Sequence, residues 1–113
     1  MSETTTYLPP QIFQSWISSY EEDEEDVRVY RTAEFQFPPA RFREKLNFKE
    51  NGEFILTVPA ATDGDQEILG TWESSVKDKI LVQFPNSEIE GFILHIILIE
   101  EEILKVRRFP IEP

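Results

Sequence analysis

The sequence predicts an all-β fold, a small antiparallel up-and-down β-barrel of seven or eight short strands. Asn51-Gly52 separates two strand-like runs, which is typical of a tight hairpin because both residues adopt positive φ at little cost. Short strands alternate with polar, Gly or Pro breaks from there to the C-terminus. The loops are of hairpin length, which favours a barrel over a Greek-key sandwich with its long crossover.

The N-terminal third contains the least regular elements. Residues 1–11 are polar and end in Pro9-Pro10, so we expect a flexible arm, followed by a barrel domain over 12–109 and a tail over 110–113. The apolar spacing over residues 11–20 fits a turn of helix, but residues 16–20 could equally form a first strand. Residues 27–31 alternate apolar and basic, as in a half-buried strand. Residues 35–39 carry two prolines and predict an irregular crossing.

The remaining strands follow at even spacing. They are predicted over 41–49, 54–58, 66–74, 80–84, 91–99 and 103–108, with turns at Thr62–Asp65 and Lys77-Asp78. The run Phe92–Ile99 is almost entirely apolar. We therefore expect its outward face to lie under the N-terminal segment or against a second copy of the chain.

The amino-acid composition limits the cellular compartment and the classes of partner that we expect. The formal charge is −11, which repels nucleic-acid phosphates and anionic lipid heads. The longest apolar run is too short to cross a bilayer, and the N-terminus lacks a signal-peptide pattern. The chain has no cysteine, which fits a reducing compartment. We expect a cytoplasmic protein that binds neither nucleic acid nor membrane.

The sequence offers no catalytic or metal-binding arrangement. Ser18 and Ser19 lack a base in a recognisable motif. His95 is the only histidine, so we interpret it as a core residue with one hydrogen-bonded nitrogen. The acidic run Glu21–Asp26 lacks the spacing and central glycine of a calcium loop and is interpreted as a solvated loop. We expect no enzyme activity, no metal and no cofactor.

Several segments together resemble a known family. They are Trp16-x-x-Ser19-Tyr20-Glu21-Glu22-Asp23, Val29-Tyr30-Arg31, Phe37-Pro38-Pro39-x-Arg41, Leu46-x-Phe48-x-x-Asn51-Gly52-x-Phe54, Gly70-Thr71-Trp72, Ile80-x-Val82 and Ile103-Leu104-x-Val106. The later segments resemble the small lipocalin-like domains of the calycin group, and the earlier ones a set of uncharacterised bacterial proteins within it. The resemblance implies an eight-stranded barrel. It also implies that a basic side chain of the last strand, Arg107 or Arg108, closes one end by a cation–π contact with Trp16. The full-sized family has glycine where Gln14 stands here.

Two functions follow as hypotheses. In the first, the barrel binds a small apolar or carboxylate ligand, with Phe48, Phe54 and Trp72 as walls and Arg41 or Arg43 as a guanidinium anchor. The plainer expectation for those arginines is pairing with nearby acids on the exterior. In the second, side chains fill the barrel, and an outer surface around Phe92–Ile99 or the 35–39 crossing binds another protein or a second copy, forming a homodimer. Trp16 and Trp72 are expected to pack in the core.

Overall fold

The computed structural model describes residues 8–61 and 64–111, and over these residues the chain forms a closed antiparallel barrel of eight strands. The predicted all-β, up-and-down barrel is thereby confirmed. The strands are β1 (Ser15–Ser18), β2 (Val27–Arg31), β3 (Lys45–Phe48), β4 (Glu53–Pro59), β5 (Asp65–Val76), β6 (Lys79–Gln83), β7 (Phe92–Ile99) and β8 (Ile103–Pro110). Two short 3-10 turns, Pro10–Ile12 and Tyr20–Glu22, precede and follow β1.

One connection departs from a strictly sequential order around the barrel. Strand β1 lies between β2 and β3, so that β2 rather than β1 pairs with β8. The segment 32–44 therefore runs back along the barrel and crosses β1. It contains the predicted irregular crossing and has no strand of its own. The strand predicted over 41–49 is consequently shorter, because its first four residues still belong to this crossing.

The β3–β4 hairpin uses its Asn-Gly pair differently from the predicted two-residue turn. Only Gly52 has positive φ, at 96°. Its N–H donates to the carbonyl oxygen of Lys49 (3.1 Å), while the N–H of Lys49 donates to the carbonyl oxygen of Glu53 (2.9 Å). A type I turn followed by one left-handed residue has this pattern, and it suits glycine at the last position.

The N-terminal segment closes one end of the barrel. Both structures considered for residues 11–20 occur, a 3-10 turn and then strand β1. Leu8 and Ile12 are buried in the core, so the predicted boundary at residue 12 falls within a packed segment. Most of the predicted arm (1–7), part of the Thr62–Asp65 turn (62–63) and the end of the tail (112–113) lie outside the described residues.

The barrel interior is filled by its own side chains. Inward positions of every strand join one apolar cluster with the N-terminal segment. Phe54, Leu94 and Val106 have no exposed area at all. A cavity that holds even one water molecule would leave accessible area on the side chains around it. The interior next to these residues is therefore packed at the density of an ordinary protein core.

Candidate functional site

The predicted ligand walls are packing residues. Phe48 and Phe54 are buried against each other, with ring centroids 4.9 Å apart. Trp72 is half-buried at the end that the N-terminal segment covers, where its ring lies 5.7 Å from that of Phe13. Its indole N–H donates to the carbonyl oxygen of Lys49 and holds the β3–β4 turn (2.7 Å). The structure thus packs Phe48 against Phe54 and Trp72 against Phe13, and it leaves almost no exposed area on Phe48 and Phe54 for a ligand.

Trp16 is also a core residue, but its partner is not the predicted one. Its side chain is fully buried, and its indole N–H donates to the carbonyl oxygen of Ile12 (3.1 Å). Trp16 forms a register pair with Leu46 of β3. Among the described residues no arginine lies over its ring. The 3-10 turn ahead of β1 takes the place that the resemblance gives to Arg107 or Arg108.

The two arginines predicted to anchor a ligand have other surroundings. Arg43 donates two hydrogen bonds to the Glu21 carboxylate (2.6 and 2.9 Å) and others to the carbonyl oxygens of Ser18 and Pro38. Its guanidinium also lies over the rings of Tyr20 and Phe37. These contacts leave it no free face for a ligand carboxylate. Arg41 is exposed on the crossing segment.

Arg108 occupies the mouth, the barrel end opposite the N-terminal segment. It is level with Leu94 of β7, and its guanidinium lies 4.3 Å from the centre of the Phe92 ring. The expected cation–π contact therefore exists, but on Phe92 instead of Trp16. Arg107 faces outward on the same strand and pairs with Asp26 (3.2 Å).

Arg108 belongs to a polar cluster that the sequence analysis did not anticipate. Its Nη2 donates to Glu44 Oε1 (3.0 Å) and to Tyr30 Oη (3.1 Å), and Tyr30 Oη donates to the same Glu44 oxygen (2.7 Å). Burial, reinforced by Glu44, raises the pKa of the Tyr30 hydroxyl, which keeps it a neutral donor. Arginine and glutamate neutralise each other, so this trio has no excess charge with which to hold an ionic ligand.

The acidic run is better organised than the predicted solvated loop. Glu22 accepts from Arg31 (2.8 and 2.9 Å) and from the buried Ser19 hydroxyl (2.6 Å), and the Arg31 bond is the main cause that lowers the pKa of Glu22 to about 2. Asp23 accepts the backbone N–H of Val29 (2.8 Å). These acids, together with Glu21 and Asp26, fasten the β1–β2 connection to its neighbours.

The outward side chains of β6, β7 and β8 form an apolar row. Leu81, Ile93 and Phe109 are aligned across the three strands by direct register pairs. The next row along the same face places Lys79 beside His95. We call these five residues the β6–β8 surface. His95 is half-buried on this outer face and not in the core as predicted, because the inward positions of β7 are its neighbours Leu94 and Ile96.

Two open grooves border this surface. The larger, about 390 Å³, is lined by Lys79, Ile93, His95, Phe109 and Pro110. The smaller, about 180 Å³, shares Lys79 and Ile93 and extends to the end of β5. Phe109 keeps 44% of its area exposed. The apolar run Phe92–Ile99 predicted an outward apolar face on β7, since a strand with apolar residues on both sides presents one apolar side outward.

The described residues contain neither a cluster of three or more potential metal-ligating His, Asp or Glu side chains nor a helix long and apolar enough to span a membrane. Comparison with protein-family models, with curated proteins and with solved structures gave no match to this chain. Function therefore has to be argued from the geometry of the barrel and its surface.

Proposed function

We propose that the chain is a non-catalytic binding module that recognises another protein through the β6–β8 surface. The contrast between the two sides of the barrel carries this proposal. Core side chains with no exposed area fill the interior, whereas an apolar row on the outside borders open grooves. A contiguous exposed apolar patch rimmed by polar groups is typical of interaction sites.

Two features favour this function over a small-ligand function. A ligand inside the barrel would have to displace packed aromatic rings such as those of Phe48 and Phe54. At the mouth, Nη2 of Arg108 already has Glu44 and Tyr30 as partners, and the Phe92 ring lies against the guanidinium. A ligand carboxylate that bound Nη2 would have to replace Glu44, which is tethered by the chain at no cost in association entropy.

The same proposal includes the family and the compartment. We place the barrel among small bacterial relatives of the calycin group that work in the cytoplasm. The eight-stranded closure and the position of Trp16 on β1 beneath an N-terminal turn support this relationship. The crossing of 32–44 over β1 sets the chain apart from a strictly sequential lipocalin order.

Affinity purification from the native host with quantitative mass spectrometry tests the surface. Phe109→Asp places a charge in the larger groove, whereas Leu69→Asp, a matched control, changes an exposed apolar residue of β5 outside both grooves. We expect one partner to be retained by the wild type and the control and lost with Phe109→Asp. Equal retention by all three proteins, or native mass spectrometry that finds a small molecule inside the barrel, would overturn the proposal.

A further inference from the structure

The larger groove of the β6–β8 surface carries a charge opposite in sign to that of the whole molecule. The chain has 22 acidic and 11 basic side chains. The larger groove is nevertheless lined by Lys79 and His95 with no acidic residue. The smaller groove has a single acid, Glu73. Lys79 forms no ion pair with any described residue, so its charge is available to a partner.

The closed sheet determines how a partner can engage. Each of β6, β7 and β8 is hydrogen-bonded to a strand on both sides. None of them has a free edge that an extended peptide could join by main-chain hydrogen bonds. Recognition has to come from side chains that enter the grooves beside Ile93.

A second copy of the chain fits this surface poorly. Most dimers are two-fold symmetric and bring identical patches together. Such an arrangement would bring two Lys79 charges into one apolar interface, and the larger groove supplies no acidic residue to pair with them. The same positive charge attracts a partner that carries carboxylates.

From these observations we infer that the occupant of the β6–β8 surface is an acidic amphipathic segment of another protein, whose apolar side chains enter the grooves while its carboxylates face Lys79 and His95. This inference rests on the proposed function and adds the chemistry of the partner. Charge complementarity of this kind sets specificity and accelerates association.

Two designed peptides test the inference by NMR titration of the labelled full chain. Both carry Leu at helical i, i+3, i+4 and i+7 spacing, one with Glu and the other with Lys at the remaining positions. We expect the Glu peptide to shift amide signals of β6–β8 and the Lys peptide to shift signals of the acidic run Glu21–Asp26. Lys79→Glu should lower the affinity for the Glu peptide about tenfold, because an attraction is lost and a repulsion is added. Lys49→Glu, with the same change in net charge on an exposed turn, should bind like the wild type.

Outcomes that contradict the acidic partner differ from those that contradict the proposed binding surface. Equal binding of both peptides at β6–β8 would overturn the acidic partner and leave the binding surface intact. Absence of shifts at β6–β8 with the Glu peptide would overturn the inference. The affinity purification from the native host would then test the surface independently. A dimer in sedimentation that Phe109→Asp dissociates would assign the surface to a second copy and overturn the inference.

Discussion

Gly70 of β5 is a residue at which packing leaves no room for a side chain. An added Cβ would lie 2.5 Å from the carbonyl oxygen of Gln83 and 2.7 Å from Cδ1 of Phe84. We expect Gly70→Ala to lower the free energy of unfolding by about 1–3 kcal/mol, the usual cost of overpacking a core. Chemical denaturation measures the change, with the exposed Thr71→Ala as a control expected within about 0.5 kcal/mol of wild type. An unchanged Gly70→Ala protein would contradict the close approach of the Gln83 backbone and the Phe84 ring to this position.

Trp16 links the covered end of the barrel to its core. Trp16→Ala removes the largest buried side chain of β1 and should lower the free energy of unfolding by about 3–5 kcal/mol. Trp16→Phe keeps a ring and removes only one of the two donors to the carbonyl oxygen of Ile12, because the Gln14 N–H still donates to it (2.8 Å), so we expect a smaller loss. Thermal unfolding followed by circular dichroism measures both. A Trp16→Ala protein with the wild-type Tm would contradict its place in the core.

At the scale of elements, the β1–β2 connection behaves as an ordered part of the barrel. Ser19, Glu22 and Arg31 form one hydrogen-bonded group that joins the 3-10 turn after β1 to the end of β2. Strands β1 and β2 share only two register pairs, Ile17 with Arg31 and Ser18 with Tyr30. Side-chain bonds therefore supplement a short ladder at this seam.

Glu22 makes the stability of this seam depend on pH. Its pKa falls from 4.5 to about 2 on folding, chiefly through the bond with Arg31. Because the folded state binds the proton more weakly, the contribution is fully present above about pH 4.5 and is lost as the pH falls towards 2. We expect Glu22→Gln to be less stable than wild type at pH 7, with a difference that shrinks across this window.

Denaturation at pH 7, 4 and 2 checks the Glu22→Gln prediction. Glu24→Gln is the matched control, since Glu24 lies in the same acidic run but its side chain forms no hydrogen bond or ion pair with the described residues. The control should follow the wild type at each pH. A Glu22→Gln difference that is equally large at pH 2 would contradict the role assigned to the carboxylate.

At the scale of the whole molecule, short-range patterns predicted the strands and missed the order in which they join. Alternation gave β2 at its observed bounds, and breaks at Lys77-Asp78 and Pro85 marked the ends of β6. The place of β1 between β2 and β3 was not predictable, because the crossing 32–44 differs from a loop only through long-range pairing. Periodicity reports which side a residue faces and not which strand lies next to it.

The same limit explains the site residues. The pairing of an arginine with an acid was anticipated for Arg43, which the structure pairs with Glu21. The mouth cluster was missed because Tyr30, Glu44 and Arg108 are brought together only by closure of the barrel. The β6–β8 surface was predicted only in part. Its location near Phe92–Ile99 was predicted, but its basic rim depends on the register that puts Lys79 beside His95.

A filled barrel makes a prediction for the molecule as a whole, which is that wild-type protein binds no small apolar probe inside. Phe54 has no exposed area and contacts the rings of Phe48, Phe84 and Phe92. Phe54→Ala should lower the free energy of unfolding by about 3–5 kcal/mol. It should also open an apolar cavity that takes up benzene, as dry engineered cavities do. NMR titration should show core shifts with benzene for Phe54→Ala and none for wild type. Where that variant fails to fold, Phe54→Leu offers a smaller void for the same measurement. Core shifts in the wild type at the same benzene concentration would show that the interior holds a ligand without mutation, and would favour the small-ligand function over the filled barrel.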